Sequence, residues 1–216
     1  MKKNRQPSRY VVVFDCNIYL DAARVLGEPF TWGKLRHVVD KLESVLVPHP
    51  KDEAFDSLRA LNYAYAVQID LDNVEVWASY HIAVMVRYVL ERPVVPSKKN
   101  ETPGLGWSAE SVEDLLDELI FGLVTLSGGG IVKRYLPDGN PPLDHEDGKI
   151  YGACRALAGD DPLAEVYCVT RDREFRAAYR KGLLGRHTQV IAPAELAMMI
   201  RQASAQAAFR RILGDG

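Results

Sequence analysis

The chain has 216 residues, 47% hydrophobic and 26% charged, which excludes a disordered polypeptide and is enough for one large domain. A formal net charge of −2 excludes a broadly basic nucleic-acid-binding surface, so any such site must be a local patch. Three cysteines, Cys16, Cys154 and Cys168, form no CxxC pair, which predicts reduced thiols and a cytoplasmic location rather than a disulfide framework.

The basic opening MKKNRQPSRY is followed by only four apolar residues before Asp15, which predicts neither a signal peptide nor a membrane span. YVVVFDC (10–16) is the first strand. Its β-branched run suits a parallel strand covered on both faces. Asp15 closes it, at the carboxyl edge where α/β proteins place ligands. A plain capping aspartate in a βα loop is the alternative. In 31–46, Trp32, Leu35, Val38, Val39, Leu42, Val45 and Leu46 share one helical face. A second helix covers 51–66. VEVWAS (74–79) predicts a strand and 80–91 a helix, followed by a surface loop over 91–107. A helix over 109–124 turns Val112, Leu115, Leu116, Leu119, Ile120 and Leu123 inward. SGGG (127–130) predicts a turn before the strand GIVKRY (130–135), and no GK[ST] follows to make it a phosphate loop. After the loop LPDGNPPLD (136–144), a helix over 145–158 leads to the strand EVYCVT (165–170). A helix over 173–181, the strand QVIAP (189–193) and a helix over 194–212 complete the chain. Strands alternating with helices, without repeats or composition shifts, predict a single α/β domain over 1–216 with a mostly parallel sheet. Tyr63, Tyr65, Trp77 and Tyr80 are expected to be packing residues rather than base-stacking platforms.

Carboxylates gather at two further places. In LDHEDGKIYGACRALAG (143–159) the apolar stripe is Ile150, Tyr151, Cys154, Leu157 and Ala158. At about 100° per residue, Asp147 projects within roughly 20° of the centre of that stripe, with Asp144 and Glu146 on its flanks. Asp144 suits an N-cap and Glu146 suits the helix dipole, but neither role explains an inward Asp147. In VYCVTRDREF (166–175) a strand again runs into a polar turn, with Thr170 two residues before Asp172. Three or four carboxylates at one sheet edge would repel one another, and a divalent metal resolves the conflict. Hard oxygens without His or Cys partners favour Mg²⁺ or Mn²⁺.

Strand–DxN, a DxxD opening a helix and strand–TxD, in that order, resemble the acidic signature of PIN-domain proteins, which are metal-dependent nucleases. Many are ribonuclease toxins of toxin–antitoxin modules. The resemblance runs over about 8–201. It implies a parallel sheet with strand order 3-2-1-4-5, which sets the ends of strands 1 and 4 side by side. It also implies that Asp15, Asp147 and Asp172 are catalytic metal ligands, with Asp144 as a further ligand and Asn17 and Thr170 in support. One position departs from the family: the further acid expected on the helix after strand 2 falls on Met85, one turn after His81. Asp114, Asp117, Glu118 and Glu53 all project to the solvent sides of their helices. The missing charge then comes from Asp144 or Glu146, or His81 contributes from the side, or the site is weakened. The stretch 47–73 is expected to be an insertion whose DEAFDSLRALNYAYA packs as a helix.

RDREFRAAYRKGLLGR (171–186) holds six basic residues and two acids. Arg173, Arg176 and Arg180 have i, i+3, i+7 spacing beside Asp172, and together with Arg171 they predict a phosphate track. A solvated helix face is the alternative. The leading expectation is a Mg²⁺- or Mn²⁺-dependent endoribonuclease with an RNA substrate, an antitoxin partner, homodimer formation and no membrane association. The others are a weakened PIN-like module that binds RNA or protein without cleaving, and a phosphohydrolase of another α/β family.

Overall fold

Val11, Val12, Val13 and Phe14 have almost no solvent exposure, as a strand covered on both faces requires. They belong to β1 (Arg9–Phe14) in a computed structural model that describes residues 9–44, 52–67, 74–94, 103–133, 140–161 and 163–213, the last five as backbone. Also in the sheet are β2 (Val74–Ser79), β3 (Ile131–Val132), β4 (Ala164–Val169) and β5 (Thr188–Ile191). The order is β3-β2-β1-β4-β5 and every pair is parallel, the order implied by the resemblance. The register sets Phe14 beside Val169, so β1 and β4 end together. The amide of Asp15 donates to Val169 O at 3.0 Å, continuing the ladder by one residue.

The helices are α1 (Cys16–Leu26), α2 (Trp32–Ser44), α3 (Glu53–Val67), α4 (Tyr80–Glu91), α5 (Ala109–Leu115), α6 (Gly122–Leu126), α7 (His145–Asp160), α8 (Arg173–Arg180) and α9 (Pro193–Leu213). The sequence patterns did not predict α1. Ile18, Tyr19, Leu20, Asp21, Ala22 and Ala23 are all buried, and the polar Asn17, Asp21 and Arg24 recur at helical spacing within a run of only 11 residues that starts directly at the strand end. The helix expected over 109–124 is interrupted. A π-helical turn, Leu116–Phe121, separates α5 from α6, and Gly122 N donates five residues back to Asp117 O. The inward stripe of that segment is buried as expected. The DEAFDSLRALNYAYA segment packs as predicted, with α3 lying against α9 and α1 through Leu58, Leu61 and Ala64. The flanks of the expected 47–73 insertion lie outside the described residues. So do positions 95–102 of the 91–107 loop and positions 134–139 of the third strand and its following loop. No helix among the described residues is long and apolar enough to cross a membrane. Cys16, Cys154 and Cys168 are free thiols.

SGGG makes the expected turn. Gly128 has φ +71°, and a Cβ on Gly129 would lie 1.9 Å from the carbonyl oxygen of Val76 in β2. That close approach admits only glycine, because the obstructing atom is sheet backbone. Gly129→Ala should therefore destabilise the fold by about 3 kcal/mol, read as a lower urea midpoint with an unchanged slope.

Candidate functional site

Asp15 stands where β1 becomes α1, at φ −69° and ψ 156°, the extended geometry of an N-cap. Its side chain makes no cap hydrogen bond. Instead, Oδ2 accepts from Thr170 Oγ1 at 2.6 Å and from Asn17 Nδ2 at 2.5 Å. Asn17 Nδ2 also lies 3.2 Å from Thr170 Oγ1, and Thr170 Oγ1 accepts from the amide of Asp172 at 2.9 Å. Two sequence-distant segments, 15–17 and 170–172, thus meet on one hydroxyl and one carboxylate. Asn17 lies in the first turn of α1 and holds Asp15 directly. Asp172 caps α8, its Oδ1 accepting from Phe175 N at 2.8 Å.

Asp15 is 3% exposed. Burial, partly offset by the Thr170 hydrogen bond, pushes its carboxyl up from 3.8 to about 6, and the charge of Asp172 adds to the rise. Asp147 is half-buried in the first turn of α7, as its inward projection requires. Burial raises its carboxyl to about 8, with further contributions from the charges of Asp15, Asp144, Asp172 and Glu146. Asp144 is the N-cap of α7, accepting from Asp147 N at 2.9 Å. Asp15, Asp147 and Asp172 therefore share one electrostatic neighbourhood, at the carboxyl end of the two central strands.

Hard carboxylate oxygens crowded enough to hold each other's protons suit a divalent cation in their chemistry. Among the described residues, however, no three His, Cys, Asp or Glu side chains form a ready-made metal-ligand group. The donor set fits a hydrated ion held partly through water better than a fully protein-ligated one.

Glu146 reaches across to α4, where Oε2 lies 2.5 Å from His81 Nε2 without the alignment of a hydrogen bond, and Oε1 lies 3.8 Å from Lys149 Nζ. Burial holds the His81 imidazole below its usual value, with Glu146 opposing the shift. Met85, one turn later on α4, is half-buried. Glu146 of α7 thus reaches α4 at His81, as Glu113 of α5 does at Arg87.

The arginines are more committed than a free phosphate track would be. Arg173 binds Glu53 Oε1 through Nε at 3.1 Å and Nη2 at 2.8 Å. Glu53, on the solvent side of α3 as expected, meets α8 there. Arg176 donates to the carbonyls of Asp172 (3.2 Å) and Arg171 (3.1 Å), bracing the loop between β4 and α8. Arg180 is exposed. Tyr65 packs as expected, stacked on Trp32. Tyr80 does not: with Val84 and Tyr88 it forms an exposed stripe along α4, at 62%, 58% and 54% exposure.

The sequence reading missed Asp21. It is 2% exposed on α1, accepts from Ser57 Oγ at 2.8 Å and lies 3.2 Å from Arg171 Nε. An aspartate four residues after Asn17 on the same helical face was the available signal, hidden because α1 itself was not recognised.

In comparisons with known proteins, no family model, no curated protein and no solved structure matches this chain.

Proposed function

We propose that this protein is a metal-dependent ribonuclease of PIN-domain type, acting on RNA phosphodiesters with Mg²⁺ or Mn²⁺. One observation carries the reading. Asp15 and Asp147, far apart in sequence, both have carboxyls pushed well up by burial and by acids of the same corner, Asp172 among them. Carboxylates held at such a cost at a sheet's carboxyl edge are a functional signature more than a structural one. A bound divalent cation supplies Lewis acidity toward a phosphate oxygen and a water of lowered pKa. Asp15, Asp147 and Asp172 hold it, with Asp144 at the rim. Thr170 and Asn17 fix the orientation of Asp15, and Thr170 also ties down the amide of Asp172. The finer reading is a cytoplasmic toxin restrained by an antitoxin, with homodimer formation as a further expectation.

The test is cleavage of a mixed-sequence RNA with Mn²⁺, with Mg²⁺ and with EDTA. Metal-dependent cleavage supports the reading, and no cleavage under any condition removes it.

A second reading, a PIN-like module that binds RNA or a protein without cleaving it, is favoured by Met85 and by the lack of a ready-made ligand group among the described residues. Met85→Glu separates the two. A carboxylate one turn beyond His81 adds a charge facing the cation, and ligand charge count sets affinity for hard ions. The variant should bind Mn²⁺ about tenfold more tightly, seen as a larger Mn²⁺-induced rise in melting temperature, and should cleave RNA faster. Its metal-free form should melt lower, because a like charge joins a crowded set. A variant that loses both metal binding and cleavage would show that Met85 is needed as a packing residue.

A further inference from the structure

Asp21 takes no part in the carboxylate corner, yet its burial is as complete as that of Asp15. A buried carboxylate is costly unless it is paired, so its partners show what it does. One is Ser57 Oγ on α3, at 2.8 Å. Two are guanidiniums: Arg171 Nε at 3.2 Å from Oδ2, and Arg24 Nη1 at 3.8 Å from Oδ1. Two cations face this one anion, and Asp52 is near enough to add a like charge. Burial pushes the Asp21 carboxyl up, while Ser57 and both guanidiniums pull it back down.

Arg171 lies between Thr170 and Asp172, and its backbone is held on both sides. Its amide donates to Asn17 Oδ1 at 3.4 Å, and its carbonyl accepts from Arg176 Nη2 at 3.1 Å. Nε lies 3.2 Å from Asp21 Oδ2 in an ion pair without the alignment of a hydrogen bond, the two terminal nitrogens have no protein partner among the described residues, and a third of the side chain is exposed. Arg173 differs: its side chain is 80% exposed and its Nε and Nη2 are taken by Glu53.

We propose that Asp21 is a positioning residue that presents the terminal nitrogens of Arg171 as a preformed fork for one phosphate of single-stranded RNA, beside the Asp15–Asp147–Asp172 corner. The inference rests on the ribonuclease reading for the identity of the ligand. Planar, bidentate phosphate recognition needs the guanidinium held in place, and a buried carboxylate ion-paired on its Nε side restrains it by charge while leaving the fork open.

Charge bookkeeping and positioning predict opposite results. Asp21→Asn removes a negative charge, so simple electrostatics predicts tighter RNA binding; positioning predicts weaker binding. Arg171→Lys keeps the charge but has no Nε and no fork. The probe is an uncleavable 2′-O-methyl RNA oligonucleotide, measured without metal at several salt concentrations. Each variant should bind about tenfold more weakly than wild type, and the double variant no more weakly than either alone.

Binding of Asp21→Asn and Arg171→Lys at wild-type strength or tighter overturns the proposal. If Asp21→Asn does not fold, Arg171→Lys alone decides. A wild type that binds the probe but never cleaves RNA with Mn²⁺ removes the nuclease reading and leaves the positioning role standing. A wild type that cleaves, with both variants binding normally, does the reverse. A wild type that binds no RNA removes both.

Discussion

Asp15→Asn should reduce metal-dependent RNA cleavage by at least about a thousandfold while leaving the metal-free protein as stable as wild type or more stable. The loss follows from position, because Asp15 is the carboxylate bound by both Thr170 and Asn17, where the two central strands end. An asparagine keeps the size and one acceptor oxygen but carries no charge for a cation. The stability gain follows from burial. The Asp15 carboxyl is raised from 3.8 to about 6, so at neutral pH the folded state holds an ion that the unfolded chain solvates better. Removing that ion should return about 2 kcal/mol, less whatever the altered hydrogen bonds to Thr170 and Asn17 cost. Activity assays and urea titration in EDTA check the two halves separately. A variant several kcal/mol less stable than wild type would mark Asp15 as a structural cap.

The metal-free protein should gain stability on acidification from about pH 8.5 to pH 5.5, with Asp147 as the main source. Its folded-state carboxyl is raised from 3.8 to about 8, so through that window the folded protein binds a proton that the unfolded chain lacks. The stability this group contributes is therefore lost as pH rises from about 4 toward about 8. Asp15 adds to the same trend over the window from 3.8 to about 6. Allowing for the partial exposure of Asp147, the effect should be about 2 kcal/mol, a shift of several degrees in melting temperature. Asp147→Asn should be more stable than wild type at pH 8.5 and should flatten the profile. Metal reverses the sign: Mn²⁺ needs ionised carboxylates, so its affinity should rise with pH and binding should release protons. Thermal melts in EDTA at both pH values, and titration calorimetry in buffers of different ionisation enthalpy, test both statements. An identical pH profile in wild type and Asp147→Asn would sink this account of the corner.

The carboxylates themselves were legible because their placement follows local rules. A buried β-branched run ending in Asp15, a helix whose apolar stripe takes in Asp147, and a second strand leading through Thr170 to Asp172 are visible in one dimension. The arginine track was less legible. Spacing puts Arg173, Arg176 and Arg180 near one another, but the partners of Arg173 and Arg176 come from α3 and from the backbone of the preceding loop. The partner of Glu53 was hidden for the same reason, since its own helix says nothing of the α8 arginine it meets.

The sequence by itself determined the alternation of strands and helices, the buried central strands and the chemical kind of the site. Each of these is written in hydrophobic period or in residue type at a strand end. The tertiary structure decided which acids share a neighbourhood, that Glu146 reaches His81 as well as Lys149 of its own helix, and that Asp21 is buried against Arg171. It also decided that Asp21, on the polar side of α1 with Asn17 and Arg24, is enclosed, because α3 packs there and brings Ser57 to it. Contacts between segments more than a hundred residues apart, such as Asp15 with Thr170, depend on the register of parallel strands. That register is set by packing across the whole sheet, which no local pattern contains.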